Sequence, residues 1–196
     1  AALRAWLDEH DDMRVVAEAA SGREAIDVVR THALHVLLLD LDMPGQSGVD
    51  ALAMIKAKAP QVGVLILSGY SEQQYAVPLI RNGASGYLNK GCAPGDIVEA
   101  VRRVAQGSRY LTPAVAELLA TQVIAPPGHG LHEQLSPREL QVFLKLAQGK
   151  TAGEVAQDLS LSAKTVSTYR ARLLAKLQAR SNSDLTYYAL KHGLLA

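Results

Sequence analysis

The chain has 196 residues, is 48% hydrophobic and carries a net charge of +1, which is enough material for two compact domains with real cores. No apolar stretch approaches the roughly 18 residues of a membrane span, no signal-peptide pattern opens the chain, and the single Cys92 excludes an internal disulfide framework. A cytoplasmic protein with no membrane role is therefore expected. The charge is uneven: residues 1–124 hold 11 Lys and Arg against 14 Asp and Glu, and residues 125–196 hold 9 against 5. Opposite signs in the two parts suggest different partners, with nucleic acid the candidate for the basic part. The six histidines show no metal-ligand spacing.

Residues 1–9 (AALRAWLDE) have the pattern of the back end of an amphipathic helix. Residues 14–19 (RVVAEA) read as a strand, and the Ser21 to Glu24 spacing is that of a capping box before a helix ending near residue 32. In the strand over residues 35–40, residues 36–39 form an unbroken apolar run closed by Asp40 and followed by the breaker Pro44-Gly45. That pattern describes a central parallel strand with a carboxylate at its C-terminal mouth. Ser47 and Asp50 open a helix that stops before Pro60, and residues 62–68 (VGVLILS) are a second apolar strand. Ser71 and Gln74 repeat the capping-box spacing, leading a helix to Asn82-Gly83; residues 85–88 are a short strand and residues 94–106 a helix. Strands alternating with helices predict βαβ units, hence a parallel sheet with helices on both faces.

Asp40, Ser68 and Lys90 each close or just follow a strand, in LLLD, LILS and GYLNK. In a parallel sheet those ends converge on one edge, where ligands of open α/β sheets bind. A carboxylate, a hydroxyl and an ammonium together make a phosphoryl-accepting site: the first is the nucleophile, the second a donor, the third a counter-charge.

The segments HVLLLDLDMPGQSG, LILSGY and GASGYLNKG resemble, in order and context, the flavodoxin-like receiver domain of bacterial two-component response regulators. The resemblance implies that Asp40 takes a phosphoryl group from a sensor histidine kinase with Mg2+ present. It implies that Ser68 and Tyr87 move together when phosphate arrives. Asp40 and the backbone carbonyl of Asp42 are the implied metal ligands, and the Asp42 side chain is placed to affect the lifetime of the phosphate. The family also has an acidic pair at the end of a first strand, and this sequence begins after that point. We expect about 15 further residues, one strand and a helix start, in the natural protein. The 196-residue chain as it stands is expected to hold Mg2+ poorly and to phosphorylate weakly. The cluster Asp8, Glu9, Asp11 and Asp12 follows the first helix and is expected to be a solvated loop at the opposite edge.

After Gly107, Thr112-Pro113 caps a helix running to about residue 123, and residues 125–132 (APPGHGLH) have the composition of a tether. The expected division is a receiver over 1–106, a linker with one helix over 107–134, and an all-α four-helix helix-turn-helix domain over 135–196. Ser136, Pro137 and Glu139 start a helix whose Leu140, Phe143, Leu144 and Ala147 share one face; Gly149 ends it. Thr151 and Glu154 start the next helix, Ser162 caps a longer one to about Leu177, and residues 183–192 form the last. A short helix, a brief turn and a longer helix is the helix-turn-helix layout.

In the long helix Val166, Leu173 and Leu177 form an apolar seam, and residues 162–180 carry five basic side chains and no acid. Residues 135–177 resemble the LuxR-type output domain, and its pairing with a receiver marks the NarL/FixJ type. Carried over, Ser167, Thr168 and Ala171 fall where the family reads base edges, with Lys164, Thr165, Arg172 and Lys176 where it holds phosphates. Because Ser167 and Ala171 are small, readout is expected to lean also on Tyr169, Arg170 and DNA shape. The resemblance implies promoter DNA as partner and a homodimer formed through the last helix. The unphosphorylated receiver is expected to pack on or near the recognition helix. The main reading is a phosphorylation-switched transcription factor. The alternative is a phosphate-independent DNA-binding regulator whose degenerate receiver serves dimerisation. An enzyme fused to a DNA-binding module is disfavoured, since no glycine-rich phosphate loop or Ser/His/Asp arrangement is present.

Overall fold

A computed structural model describes residues 2–43, 48–124 and 130–195. In chain order the N-terminal part runs α1 (Ala2–Asp8), α2 (Gly22–Thr31), β1 (Val36–Leu39), α3 (Gly48–Lys58), β2 (Gly63–Ser68), α4 (Glu72–Arg81), β3 (Gly86–Asn89) and α5 (Pro94–Ala105). The strands are parallel in the order β1-β2-β3, with Leu38 opposite Leu65 and Ser68 opposite Asn89. β2 is apolar up to its last residue, Ser68, and is covered on both faces. Val64 and Ile66 pack towards Leu52 and Ile55 of α3 and Leu79 of α4, while Leu65 joins Leu88, Leu7 of α1 and Val98 and Val104 of α5. That alternation follows from the two-residue period of a strand.

The strand expected at residues 14–19 does not form: the segment makes no strand pairing, its side chains alternate between exposed and half-buried, and Val16 is 49% exposed. β1 pairs with β2 on one side, and among the described residues no strand lies on its other side. The period-2 signal was present, but a strand without a ladder partner has no place for its backbone hydrogen bonds. The capping box expected at Ser71 is also not made, because the Ser71 hydroxyl donates to Gln73 Oε1 instead. The Pro44-Gly45 breaker and the Ser47 cap lie outside the described residues.

The C-terminal part is α6 (Pro113–Ile124), a 3-10 turn (Leu131–Gln134), α7 (Pro137–Ala147), α8 (Ala152–Asp158), α9 (Ala163–Lys176) and α10 (Asn182–Lys191). Of the expected tether, residues 125–129 are outside the description, and the segment after them turns into the 3-10 element. Reciprocal capping boxes start α7 (Ser136 with Glu139), α8 (Thr151 with Glu154) and α10 (Ser181 with Asp184), each satisfying two backbone donors at a helix start. Phe143, Leu146, Val155, Val166, Leu173 and Leu185 close the core between these helices.

This core is continuous with that of the sheet through α3, α4 and α7. The junction carries an ion pair between Arg138 Nη2 and Asp50 Oδ2 at 3.4 Å and a 2.6 Å hydrogen bond from Gln74 Nε2 to Leu194 O. Arg138 is buried and also donates to Gln141 Oε1 and Leu159 O, so Asp50 supplies the counter-charge from the other part of the chain. Asp50→Lys should therefore separate the two parts. We expect a larger radius of gyration in small-angle scattering with an unchanged far-ultraviolet dichroism spectrum. An unchanged radius would show that the ion pair does not hold the junction.

Candidate functional site

The C-terminal ends of β1, β2 and β3 lie at one edge because the three strands are parallel and in register. Asp40 directly follows β1 and Lys90 directly follows β3, and their side chains meet with Nζ to Oδ2 at 2.5 Å. The other carboxylate oxygen accepts the Asp42 N–H at 3.0 Å, which fixes the plane of the group. Gly48 returns so close to this loop that an added Cβ would lie 2.0 Å from the Asp40 carbonyl oxygen. A side chain at position 48 would therefore displace the acceptor itself.

Ser68, the last residue of β2, is fully buried, and its Oγ accepts the Tyr70 N–H at 3.2 Å. Tyr87 of β3 is fully buried as well, and its hydroxyl donates to Tyr70 O at 2.8 Å. Asn89 Nδ2 reaches the same carbonyl at 3.3 Å. The Tyr70 hydroxyl then donates to Asp42 Oδ1 at 2.7 Å, and its ring lies against Tyr75 of α4 with centroids 4.9 Å apart. Burial pushes the Tyr87 hydroxyl up to about 12, with the Ser68 hydroxyl beside it working the other way. Burial and then the Asp42 hydrogen bond hold the Tyr70 hydroxyl above its ordinary range. Both tyrosines thus keep their protons and act as donors at neutral pH.

Of the residues singled out in the sequence, Asp40 and Lys90 touch, and Ser68, Tyr87 and Asp42 all connect through Tyr70. Sequence reasoning missed Tyr70 as the hub and Asn89 as its second anchor. The signal available was the aromatic residue in LILSGY, two positions after the buried hydroxyl. The acidic cluster near the N-terminus stands apart from this edge: Asp12 is paired with Arg102 at 2.7 Å, and Asp8 accepts the Val15 N–H and lies 3.6 Å from Arg4.

In the C-terminal part, α8, a turn at 159–162 and α9 form the short helix, turn and long helix. Ser160 in the turn has a positive φ of 52°. α9 buries Val166 and Leu173 and leaves Lys164, Ser167, Thr168, Ala171 and Arg172 exposed on its outer side. The other named positions are engaged elsewhere. Arg170 Nε donates to Asn182 Oδ1 at 2.7 Å, Lys176 Nζ binds the buried Glu139 at 2.8 Å, and Tyr169 is half-buried against the core. Thr165 Oγ1 is 2.8 Å from Ser162 Oγ at the start of the helix. The sheet domain packs on α7, and Leu41 to Met43 line a cavity with Asp158 to Ser160 of the turn before α9. It lies near the recognition helix, within the expected packing on or near it, and the outer side of α9 is exposed. The helix that offers a buried arginine to Asp50 is α7, and α9 offers no apolar outer stripe to bury.

Comparison with known proteins gives two family matches: residues 1–102 to the response regulator receiver domain and residues 133–189 to the bacterial regulatory proteins of the luxR family. Response regulator UvrY of Escherichia coli K12 is 36% identical over 195 residues, covering 99% of this chain and 89% of the relative. Oxygen regulatory protein NreC of Staphylococcus carnosus is 36% identical over 196 residues, covering 96% of this chain and 90% of the relative. Among solved structures, RcsB of Salmonella enterica serovar Typhimurium, bound to a promoter in the presence of phosphomimetic BeF3-, matches 95% of this chain and 90% of its own with a TM-score of 0.65 and 26% identity. The chain belongs to the NarL/FixJ-type response regulators, DNA-binding regulators of transcription in which a receiver is joined to a LuxR-type helix-turn-helix domain. No described helix is long and apolar enough to cross a membrane.

Receiver domains generally bind Mg2+ at the phosphorylation site. Among the described residues no group of three or more His, Cys, Asp or Glu side chains could hold a metal ion. Asp40 already takes Lys90 and the Asp42 N–H, and the Asp42 carboxylate is committed to Tyr70. With both Asp40 oxygens and the Asp42 carboxylate engaged, the main-chain carbonyl of Asp42 is what remains of the expected ligands, too few protein oxygens even for an ion that keeps several of its waters. Calorimetric titration of the 196-residue chain with magnesium chloride should give no saturable binding. A one-site isotherm that disappears in Asp40→Asn would contradict this.

Proposed function

We propose that Asp40 is the phosphoryl acceptor for a sensor histidine kinase and that its phosphorylation controls dimerisation and binding to double-stranded promoter DNA. The observation that carries this reading is the direct contact of Asp40 with Lys90 at the shared strand edge. An Asp40 carboxylate oxygen attacks the phosphorus of a phosphohistidine. The new O–P bond forms as the P–N bond breaks, and the electron pair leaves on the imidazole nitrogen. Lys90 then transfers its ammonium from the carboxylate to the phosphoryl oxygens, because about −1.5 to −2 of charge has been added there.

The division at 1–106, 107–134 and 135–196 assigns the acceptor to the receiver and α7 to α10 to the output domain. Coupling between them has a contiguous route. Asp42 is bound to Tyr70, Tyr70 stacks on Tyr75 of α4, and α4 carries Gln74, whose amide holds Leu194 O. The linker is tied to the same helix where Thr112 Oγ1 donates to Glu72 Oε2 at 2.9 Å. A shift of the acceptor loop is thereby passed to both the linker and the C-terminal segment. For dimerisation, α10 exposes Tyr187 at 68% and Leu190 at 53%, side chains that a second copy can cover.

A second reading, DNA binding independent of phosphate, draws on the sparse donor set around Asp40. Two experiments separate the readings. Incubation with acetyl phosphate should give a weak acyl phosphate signal on the wild type and none on Asp40→Asn, with the phosphorylated fraction of the wild type binding the promoter more tightly; equal promoter binding by the phosphorylated and unphosphorylated fractions supports the second reading. In the bound state, Lys164→Ala should weaken binding uniformly across sequences and lower the slope of log K against log salt by about 1. An unchanged slope removes Lys164 from the phosphate contacts.

A further inference from the structure

We infer that this chain reads thymine 5-methyl groups through Thr168 and Ala171. The inference rests on the reading of α9 as the helix that enters the major groove, and it names what that helix recognises there. Four features of α9 carry it. Between residues 163 and 176 there is no Asn, Gln, Asp or Glu, so the side chains that pair bidentately with adenine or accept from cytosine are missing. Arg170 and Lys176, two of the cations on the helix, are held by Asn182 and Glu139. The exposed hydroxyls are already spent as donors, since Ser167 Oγ donates to Ala163 O at 2.9 Å and Thr168 Oγ1 donates to Lys164 O at 3.0 Å. With its hydroxyl folded back on the helix, Thr168 has a methyl group left to meet a base. Ala171, three residues on and exposed, adds a second methyl.

Side chains at i and i+3 are neighbours about 5–6 Å apart on a helix. That spacing spans one to two base steps of about 3.4 Å each. The major-groove feature that small apolar side chains recognise is the thymine 5-methyl. Lys164 and Arg172, exposed on the same side of the helix, flank this pair and supply the phosphate contacts that set the register.

The test uses the full 196-residue chain and a pool of duplexes with a randomised core. Selection should enrich A·T pairs at neighbouring positions of each half-site. Replacing those thymines with deoxyuridine, which removes only the methyl group, should weaken binding about three- to tenfold per site. Thr168→Ser keeps the back-bonded hydroxyl and loses the methyl, so it should bind the thymine and deoxyuridine duplexes equally at one of the two positions. Enriched duplexes whose affinity is unchanged by deoxyuridine at every thymine overturn the inference alone. So does a Thr168→Ser variant that keeps full discrimination at every position. A pool with no enriched duplex refutes the reading of α9 as a DNA-recognition helix, and this inference with it.

Discussion

Asp40 and Lys90 are fifty residues apart, and their 2.5 Å contact exists because three strands run parallel with their C-terminal ends level. Parallel strands need crossover helices, so each strand end emerges at the same edge and each helix start returns from it. The central strand β2 holds this arrangement, pairing β1 on one side and β3 on the other. Everything proposed for the receiver follows from that edge. The Asp40 carboxylate takes its counter-charge from Lys90 after β3, and Tyr70, two residues beyond β2, binds Asp42 beside it.

The same constraint ties the strand edge to α4 through Tyr70. Tyr70 carries the Ser68, Tyr87 and Asn89 contacts through its backbone and the Asp42 and Tyr75 contacts through its side chain. A residue bonded on both its main chain and its side chain cannot follow one partner without straining the others. Charge added at Asp40 therefore acts on a tied group of residues. The cavity of about 230 Å³ beside Asp42 is closed on its far side by Arg138, Gln141 and Asp158 to Ser160. The acceptor loop thus faces the turn that precedes α9.

Most of this was legible in the sequence where local signals were strong. Apolar runs ending in Asp40 and Ser68 located β1 and β2, and the Ser136 and Thr151 capping boxes fixed the starts of α7 and α8. Most of the failures share a cause, a partner distant in the chain; the Ser71 cap is the local exception. Residues 14–19 alternate as a strand should, yet no neighbour pairs with them. Ser71 has the spacing of a capping box, but its hydroxyl has Gln73 within reach. Arg170 and Lys176 read as free cations because Asn182 and Glu139 are twelve and thirty-seven residues away in sequence. Tyr70 could not be recognised as a hub, since four of its partners lie on other elements.

The junction between the two parts bears on how such a protein is switched. A receiver that masks its recognition helix inhibits by occlusion, and release alone then suffices for activation. Here the receiver is held by α7 and the C-terminal segment, and the outer side of α9 stays exposed. Among the described residues the outer side of α9 is exposed, so this arrangement does not occlude it. What remains is control over how two output domains are presented together, since a two-fold operator demands two helices at a fixed spacing of about 34 Å. The receiver sets that spacing only if it is rigidly attached. The Asp50–Arg138 ion pair, the Gln74 bond and the shared apolar core are attachments of that kind.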